Sequence, residues 1–185
     1  MLTACVTSVN RVDPDSDIDI SGKWNDVDSR KVSEGIAQEL FTQPWYARYT
    51  AGIKGRLPVL IIGLIRNNSN EHINTETFTK DIEIAIINSG NLDVVASSNQ
   101  QALLRQERSG QDQYASEATR KILRNELGAD VILLGSINSV EDVEGRRSVR
   151  YYQIDLELID IESNRKLWIG QQEIKKFVQK PRVRL

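Results

Sequence analysis

The run at residues 59–65, VLIIGLI, is the feature of this sequence that most restricts the fold. It shows no alternation of polar and apolar residues, which predicts a β-strand covered on both faces. A second continuous apolar segment occurs at residues 131–134. Seven apolar residues are too few to cross a bilayer, since a spanning helix takes about 18 or more. The run therefore predicts a buried strand in a layered domain.

Apolar residues at helical spacing predict one helix before this strand and another after it. The first begins at an Asp26 or Asp28 cap and ends before Pro44. The second begins at an Asn74 cap and ends at Ser89-Gly90. Between the first helix and the strand we expect a loop of aromatic side chains, for which packing on the core is favoured over a ligand-stacking surface. These side chains are Trp45, Tyr46 and Tyr49.

The C-terminal half predicts a strand at residues 92–96, helices that begin at Ser97 and Ser116, and three further strands. The first of the three lies within residues 129–140, and Gly145 marks a hairpin after it. The next strand alternates apolar with polar residues, so one of its faces is solvated. Its apolar residues are Ile154, Leu156 and Leu158.

Ser163-Asn164-Arg165 predicts a turn into a last strand around Trp168. The predicted order of elements is α-β-α-β-α-α-β-β-β. Helices between the early strands favour parallel pairing, and the closing strands favour an antiparallel meander. The fold class that we expect is α+β, with a mixed β-sheet and helices packed on it.

Charge and composition exclude several classes of function. The chain has 24 Lys and Arg against 26 Asp and Glu, a net charge of −2, so no overall positive field attracts nucleic acid. Cys5 and His72 are the single Cys and His, too few for a disulfide framework or a zinc site. The sequence contains no G-x-S-x-G, P-loop or dinucleotide-binding fingerprint. We therefore expect no enzymatic activity, no cofactor and no metal.

Cys5 lies in a sequence that is typical of a lipid-attachment site. Leu2-Thr3-Ala4-Cys5 fits the lipobox of bacterial lipoproteins, in which a peptidase cuts before a cysteine that carries a diacylglyceryl thioether. An apolar segment upstream of Cys5 is expected in the precursor. Val6 stands where Asp would signal retention in the inner membrane, which favours the outer membrane. The alternative is an incidental cytosolic cysteine.

Residues 6–25 are interpreted as an acidic tether. The segment DPDSDID at residues 13–19 resembles the start of a calcium loop, but Ile18 and Trp24 occupy the positions that need Gly and Glu. A solvated linker is favoured over calcium binding. Residues 175–184 hold five basic side chains and no acidic one, so the two ends are oppositely charged. The predicted division is residues 1–25 for lipobox and tether, 26–178 for a globular domain and 179–185 for a basic tail.

Two polar segments are candidate partner-binding surfaces. The loop at residues 66–74 follows the C-terminal end of the buried strand, which is the usual ligand crevice of open α/β sheets. The alternative is a purely structural loop, whose Asn and Ser side chains satisfy its backbone and cap the helix. The hairpin at Gly145 is the second segment. The candidate residues are Arg66, Asn67, Glu71, His72, Arg146 and Arg147.

Scattered but ordered motifs across residues 25–177 resemble the LpoB-like family of bacterial outer-membrane lipoproteins. The motifs are Arg66-Asn67, Glu71-His72-Ile73-Asn74-Thr75, Ser89-Gly90, Leu127-Gly128-Ala129-Asp130, Leu134-Gly135-Ser136, Tyr151-Tyr152-Gln153 and Lys166-Leu167-Trp168.

This resemblance implies a non-catalytic lipoprotein on the periplasmic side of the outer membrane, lipid-anchored through Cys5. Its folded domain would bind and activate a cell-wall synthase, a penicillin-binding protein. The best-known family member reaches its partner on a long Pro-rich arm, whereas a tether of about twenty residues spans at most ~70 Å. Two alternatives stay open: an envelope assembly or secretion accessory that binds other periplasmic proteins, and a cytosolic small-ligand-binding domain that uses the His72 loop.

Overall fold

A computed structural model describes residues 9–97, 100–101 and 128–181. Cys5, the predicted helix at Ser116 and most of the predicted helix at Ser97 lie outside the described residues. The last four residues of the predicted basic tail also lie outside them.

The described parts of the chain form three helices and one five-stranded sheet. In chain order the elements are α1 (Asp26–Thr42), α2 (Pro44–Gly52), β1 (Val59–Asn67), α3 (Thr75–Ser89), β2 (Asp93–Val95), β3 (Val131–Glu144), β4 (Arg147–Asp160) and β5 (Lys166–Gln179). The strands lie in the order β2-β1-β3-β4-β5. β1 pairs in parallel with β2 and β3, and β3, β4 and β5 pair antiparallel. The predicted α+β class with a mixed sheet is confirmed.

The core lies between one face of this sheet and helices α1 and α3. α1 contacts α3 and β5, and α3 contacts β1. The alternation predicted for β4 is confirmed, because its three apolar residues are fully buried while the residues between them are not. The side chains that build the core from these elements include Ile36, Leu40, Leu60, Phe78, Ile82, Ile86, Leu133, Ile137, Ile154, Leu156 and Leu158.

β1 departs from its predicted burial at one end. Leu60 is fully buried, but Leu64 is 63% exposed. The prediction that both faces of this strand are covered is therefore wrong at Leu64. The reason is that α1 and α3 pack on the same face of the sheet, and among the described residues no helix covers Leu64 on the opposite face.

The aromatic segment after α1 is a helix, so the predicted loop is wrong there. Pro44 does end α1, and it also opens α2, because the first turn of a helix does not need the N–H that proline lacks. Trp45 is buried and its Nε1 donates to the Leu40 carbonyl over 2.7 Å. Tyr49 donates its hydroxyl to Asp160 over 2.9 Å. Core packing of these rings is confirmed.

The helix caps and turns are set by short polar motifs. Asn25 caps α1 by accepting from the Asp28 N–H, and the Asp28 carboxylate accepts from the Asn25 N–H, so neither Asp26 nor Asp28 is the cap. Asn74 caps α3 as predicted, and Gly90 ends it with a φ of 68°. Gly145 turns the β3–β4 hairpin with a φ of 60°. A left-handed φ of this kind favours glycine.

Candidate functional site

The loop that follows β1 is held in place by its own polar side chains. Asn67 donates through Nδ2 to the Glu71 carbonyl over 2.8 Å, and its Oδ1 accepts from the Ser69 N–H over 2.9 Å. The Asn68 N–H donates to the Ile137 carbonyl of β3 over 2.8 Å. Asn74 closes the loop by capping α3. Hydrogen bonds therefore tie the loop to both the sheet and α3.

Glu71 points into the protein from this loop. Its carboxylate accepts from the Trp24 N–H over 3.2 Å and lies 3.7 Å from Nε of Arg150. The side chains of Glu71 and Arg150 are each only 16% exposed. Arg150 also donates to Glu141 over 2.9 Å. Glu71 thus joins the N-terminal segment, β4 and the loop in one charged contact.

An aromatic cluster lies beside this carboxylate. The Trp24 ring meets Phe78 and Tyr152 edge to face, with centroids 5.7 and 5.6 Å away. Tyr152 is fully buried, and none of the described side chains or backbone groups hydrogen-bonds its hydroxyl with good geometry. Burial, followed by the neighbouring Glu71 carboxylate, raises the pKa of Tyr152 above its usual range. The phenol therefore stays protonated and is not a candidate base.

Three candidate residues of the loop face solvent. Arg66, Asn67 and His72 are exposed. Arg66 lines a pocket of about 310 Å³ on the sheet face opposite α1, together with Asp155 and Glu157 of β4. The imidazole of His72 is exposed to solvent, whereas the side chain of its neighbour Glu71 is only 16% exposed. The sequence pairs these two residues, whereas the fold gives them different surroundings.

The hairpin candidates form a separate group. Arg146 and Arg147 are exposed, and Arg147 pairs with Glu144 over 2.9 Å. Ser136, the β3 partner of Arg66, lies eight residues before Glu144. At about 3.4 Å per residue this places the hairpin roughly 27 Å from the loop. The structure does not bring the six candidate residues into one site.

Sequence reasoning missed Trp24 and Arg150. Trp24 is the one aromatic residue of the acidic segment. A large apolar side chain is unusual in a solvated linker, so its presence could have indicated that Trp24 packs on the domain. Arg150 gave no signal, because its role depends on contacts with Ser21, Glu71 and Glu141, which are distant along the chain.

The acidic segment lies against the domain from Pro14 onward. Arg30 donates to the Pro14 carbonyl over 3.2 Å, and Lys176 pairs with Asp19 over 2.7 Å. Most of its residues are nevertheless exposed. The predicted tether is thus in contact with α1 and β5, and the domain boundary at residue 25 stays a prediction.

Neither a membrane-spanning helix nor a metal-ligand cluster occurs in the described part of the chain. No helix there is both long and apolar enough to cross a membrane. No group of three or more His, Cys, Asp or Glu side chains is placed there to hold a metal ion.

Comparison with known proteins identifies the family. The family model of the peptidoglycan-synthase activator LpoB matches residues 28–174. The chain belongs to the LpoB family. The resemblance seen in the sequence motifs is thereby confirmed, and with it a family role as activators of peptidoglycan synthases. No curated protein matches the chain.

Several solved structures are similar to this family member. The LpoB C-terminal domain from Salmonella enterica is 15% identical with a TM-score of 0.48, covering 80% of this chain and 99% of that one. The corresponding Escherichia coli domain is 16% identical with a TM-score of 0.42, covering 72% and 100%. Lipoprotein GNA1162 from Neisseria meningitidis is 17% identical with a TM-score of 0.41, covering 65% and 83%. Family membership rests on the family model alone.

Proposed function

We propose that this protein is a non-catalytic lipoprotein on the periplasmic side of the outer membrane that binds and activates a penicillin-binding protein. The observation that carries the proposal is the match of residues 28–174 to the family of peptidoglycan-synthase activators. The lipobox at Cys5 supports the anchor. The sequence has a single Cys, a single His and no catalytic fingerprint, which supports a binding role.

The loop after β1 is the surface that we assign to the partner. Its backbone is fixed at both ends by hydrogen bonds to β3 and α3, so docking costs little ordering of the loop. Arg66, Asn67 and His72 are exposed there and supply a guanidinium, an amide and an imidazole group. We assign Glu71 to holding the loop, since its carboxylate bonds Trp24.

The hairpin forms a second contact surface in this proposal. Arg146 and Arg147 are exposed at the end of two long strands, away from the loop. A large partner spans both surfaces more readily than a small ligand, because the separation is roughly 27 Å at 3.4 Å per residue.

Activation follows from a difference in affinity. If the domain binds the active conformation of the synthase more tightly than the resting one, binding shifts the synthase toward activity. A coupling free energy of about 1–3 kcal/mol changes the ratio of the two conformations roughly 5–150-fold. The domain needs no reacting group to do this.

The anchor limits where the domain meets its partner. If Cys5 is lipidated, residues 6–13 separate it from Pro14, whose carbonyl accepts from Arg30 of α1. Eight residues span at most about 28 Å at 3.5 Å per residue. We expect the domain to lie near the outer membrane, so that a synthase at the inner membrane must extend toward it.

The anchor is tested by Cys5→Ala. Cells that express the wild-type precursor should incorporate labelled palmitate into the protein, and the variant should lose the label and leave the membrane fraction. Label that persists in Cys5→Ala overturns the anchor and leaves the docking surface untouched.

The docking surface is tested by titration calorimetry with the organism's own class A penicillin-binding protein. Arg66→Ala and His72→Ala should each weaken binding. Loss of a side chain that contributes about 2 kcal/mol lowers the affinity roughly thirtyfold. Arg48→Ala is the matched control, because Arg48 is an exposed cation on α2. Unchanged affinity for both loop variants overturns this surface.

A further inference from the structure

Residues 14–23, which we name the strap, lie across a surface of α1, β4 and β5 that presents basic side chains. Four cations of the domain meet the strap. They are Arg30, Lys31, Arg150 and Lys176.

The strap is held mainly by charge. Asp17 accepts from Lys31 over 2.7 Å and from Arg30 over 3.2 Å. Asp19 pairs with Lys176 over 2.7 Å. An exposed pair such as Asp17–Lys31 contributes about 0–1 kcal/mol. The strap therefore lies on its surface without being locked to it.

The apolar side chains of the strap do not strengthen this contact. Ile20 is 93% exposed and Ile18 is 43% exposed, so little apolar area is buried. Tight anchoring begins only at Trp24, whose ring packs on Phe78 and Tyr152. The strap is thus a loosely held segment attached to a firmly held residue.

The surface beneath the strap is more ordered than the strap itself. The Lys176 side chain is 11% exposed, and its Nζ donates to the Lys23 carbonyl over 3.0 Å and pairs with Asp28 over 2.5 Å. Arg150 donates to the Ser21 carbonyl over 2.9 Å. Both cations therefore bind backbone carbonyls as well as carboxylates, and any polypeptide can offer carbonyls.

We propose that the surface formed by Arg30, Lys31, Arg150 and Lys176 is a docking site for an acidic segment of a partner protein, and that the strap fills this site until the partner displaces it. Charge complementarity selects the occupant, because the site meets carboxylates at Asp15, Asp17 and Asp19 of the strap. This site goes beyond the proposed function, since it shares no residue with the loop or hairpin surfaces.

The strap competes as an intramolecular ligand. A segment joined to its site by a short linker acts at an effective concentration in the millimolar range. A separate peptide of equal affinity must then reach millimolar concentration to displace it. A chain with a weakened strap should bind the same peptide at much lower concentration.

The test uses the full chain and a fluorescent synthetic peptide with the sequence of residues 13–23, DPDSDIDISGK. In a variant that carries Asp15→Asn, Asp17→Asn and Asp19→Asn, we expect the peptide to bind at least tenfold more tightly than in the wild type, by fluorescence anisotropy. A control peptide with Asn at every Asp position should bind at least tenfold more weakly to that variant. Equal binding of the labelled peptide to wild type and variant overturns the proposal.

The cationic side is tested in the same variant. Adding Arg30→Gln and Lys31→Gln should abolish the gain in peptide binding, whereas Lys54→Gln, an exposed cation outside the site, should preserve it. A gain that survives the loss of both Arg30 and Lys31 overturns the site.

A measurement on the unmodified chain guards against variants that fail to fold. Saturating acidic peptide should speed tryptic cleavage after Lys23 severalfold, because displacement frees the strap. The Asn control peptide should leave the cleavage rate unchanged. Cleavage that the acidic peptide does not accelerate also overturns the proposal.

Discussion

Glu71 and His72 are neighbours in the sequence, and replacing each by alanine should give opposite results. Glu71→Ala removes a carboxylate that accepts from the Trp24 N–H and faces Arg150 at 3.7 Å. Both charged side chains are 16% exposed, so solvent replaces the lost partner only in part. His72 is exposed and has no comparable role in holding the loop.

The magnitude follows from these contacts. A partly buried donor that loses its acceptor costs about 1–3 kcal/mol, and Arg150 keeps Glu141 as a second partner, which places Glu71→Ala near about 2 kcal/mol. For a domain of this size, 1 kcal/mol lowers Tm by about 2–4 °C. Glu71→Ala should therefore lower Tm by about 4–8 °C. Substitution of an exposed residue such as His72 stays within about 0.5 kcal/mol.

Thermal unfolding followed by circular dichroism measures both variants, with Glu71→Gln as the matched control that keeps an acceptor oxygen. The glutamine variant should recover part of the lost stability. Because His72→Ala should fold normally, any loss of binding to the penicillin-binding protein in this variant reports on the interface and not on stability. A Tm for Glu71→Ala within 1 °C of wild type would refute the assignment of Glu71 to the structural contact.

Three more predictions concern packing and charge. Gly22→Ala should raise the rate of tryptic cleavage after the strap, because φ is 66° and the new Cβ would lie 2.3 Å from Val178 Cγ2. Asp130→Ala should cost about 1–3 kcal/mol in a urea titration, because Asp130 accepts from Arg56 and from a buried backbone N–H; a cost under 0.5 kcal/mol contradicts this role. Arg56 holds the pKa of Asp130 below 3.8, and Ser163 does the same for Asp160. The stability that these two carboxylates contribute is therefore present above pH 3.8 and is lost as the pH falls through their lowered pKa values. A free energy of unfolding that does not change with pH in acid urea titrations would exclude this contribution.

Features that depend on a few neighbouring residues were predictable from the sequence. The Asn74 cap, the Gly90 helix end and the Gly145 hairpin all follow from local hydrogen bonding and backbone freedom. The alternation in β4 follows from the two-residue period of a strand. These signals also gave the order of the described elements, apart from α2, and the mixed sheet.

Pro44 shows where a local signal is ambiguous. Proline ends a helix that precedes it and is equally suited to the first turn of a helix that follows it. The sequence fits both outcomes, and in the structure α1 ends at Thr42 and Pro44 begins α2.

The contacts of the candidate site depend on the tertiary structure more than the caps and turns do. The sequence located the polar loop after β1 and its exposed Arg66 and His72. Glu71 and Trp24 are 47 residues apart, and Lys176 and Asp28 are 148 apart. No periodicity or capping rule links residues at such separations, because only chain folding brings them together. Which charges face solvent and which hold the strap is therefore decided by the packing of the sheet and helices.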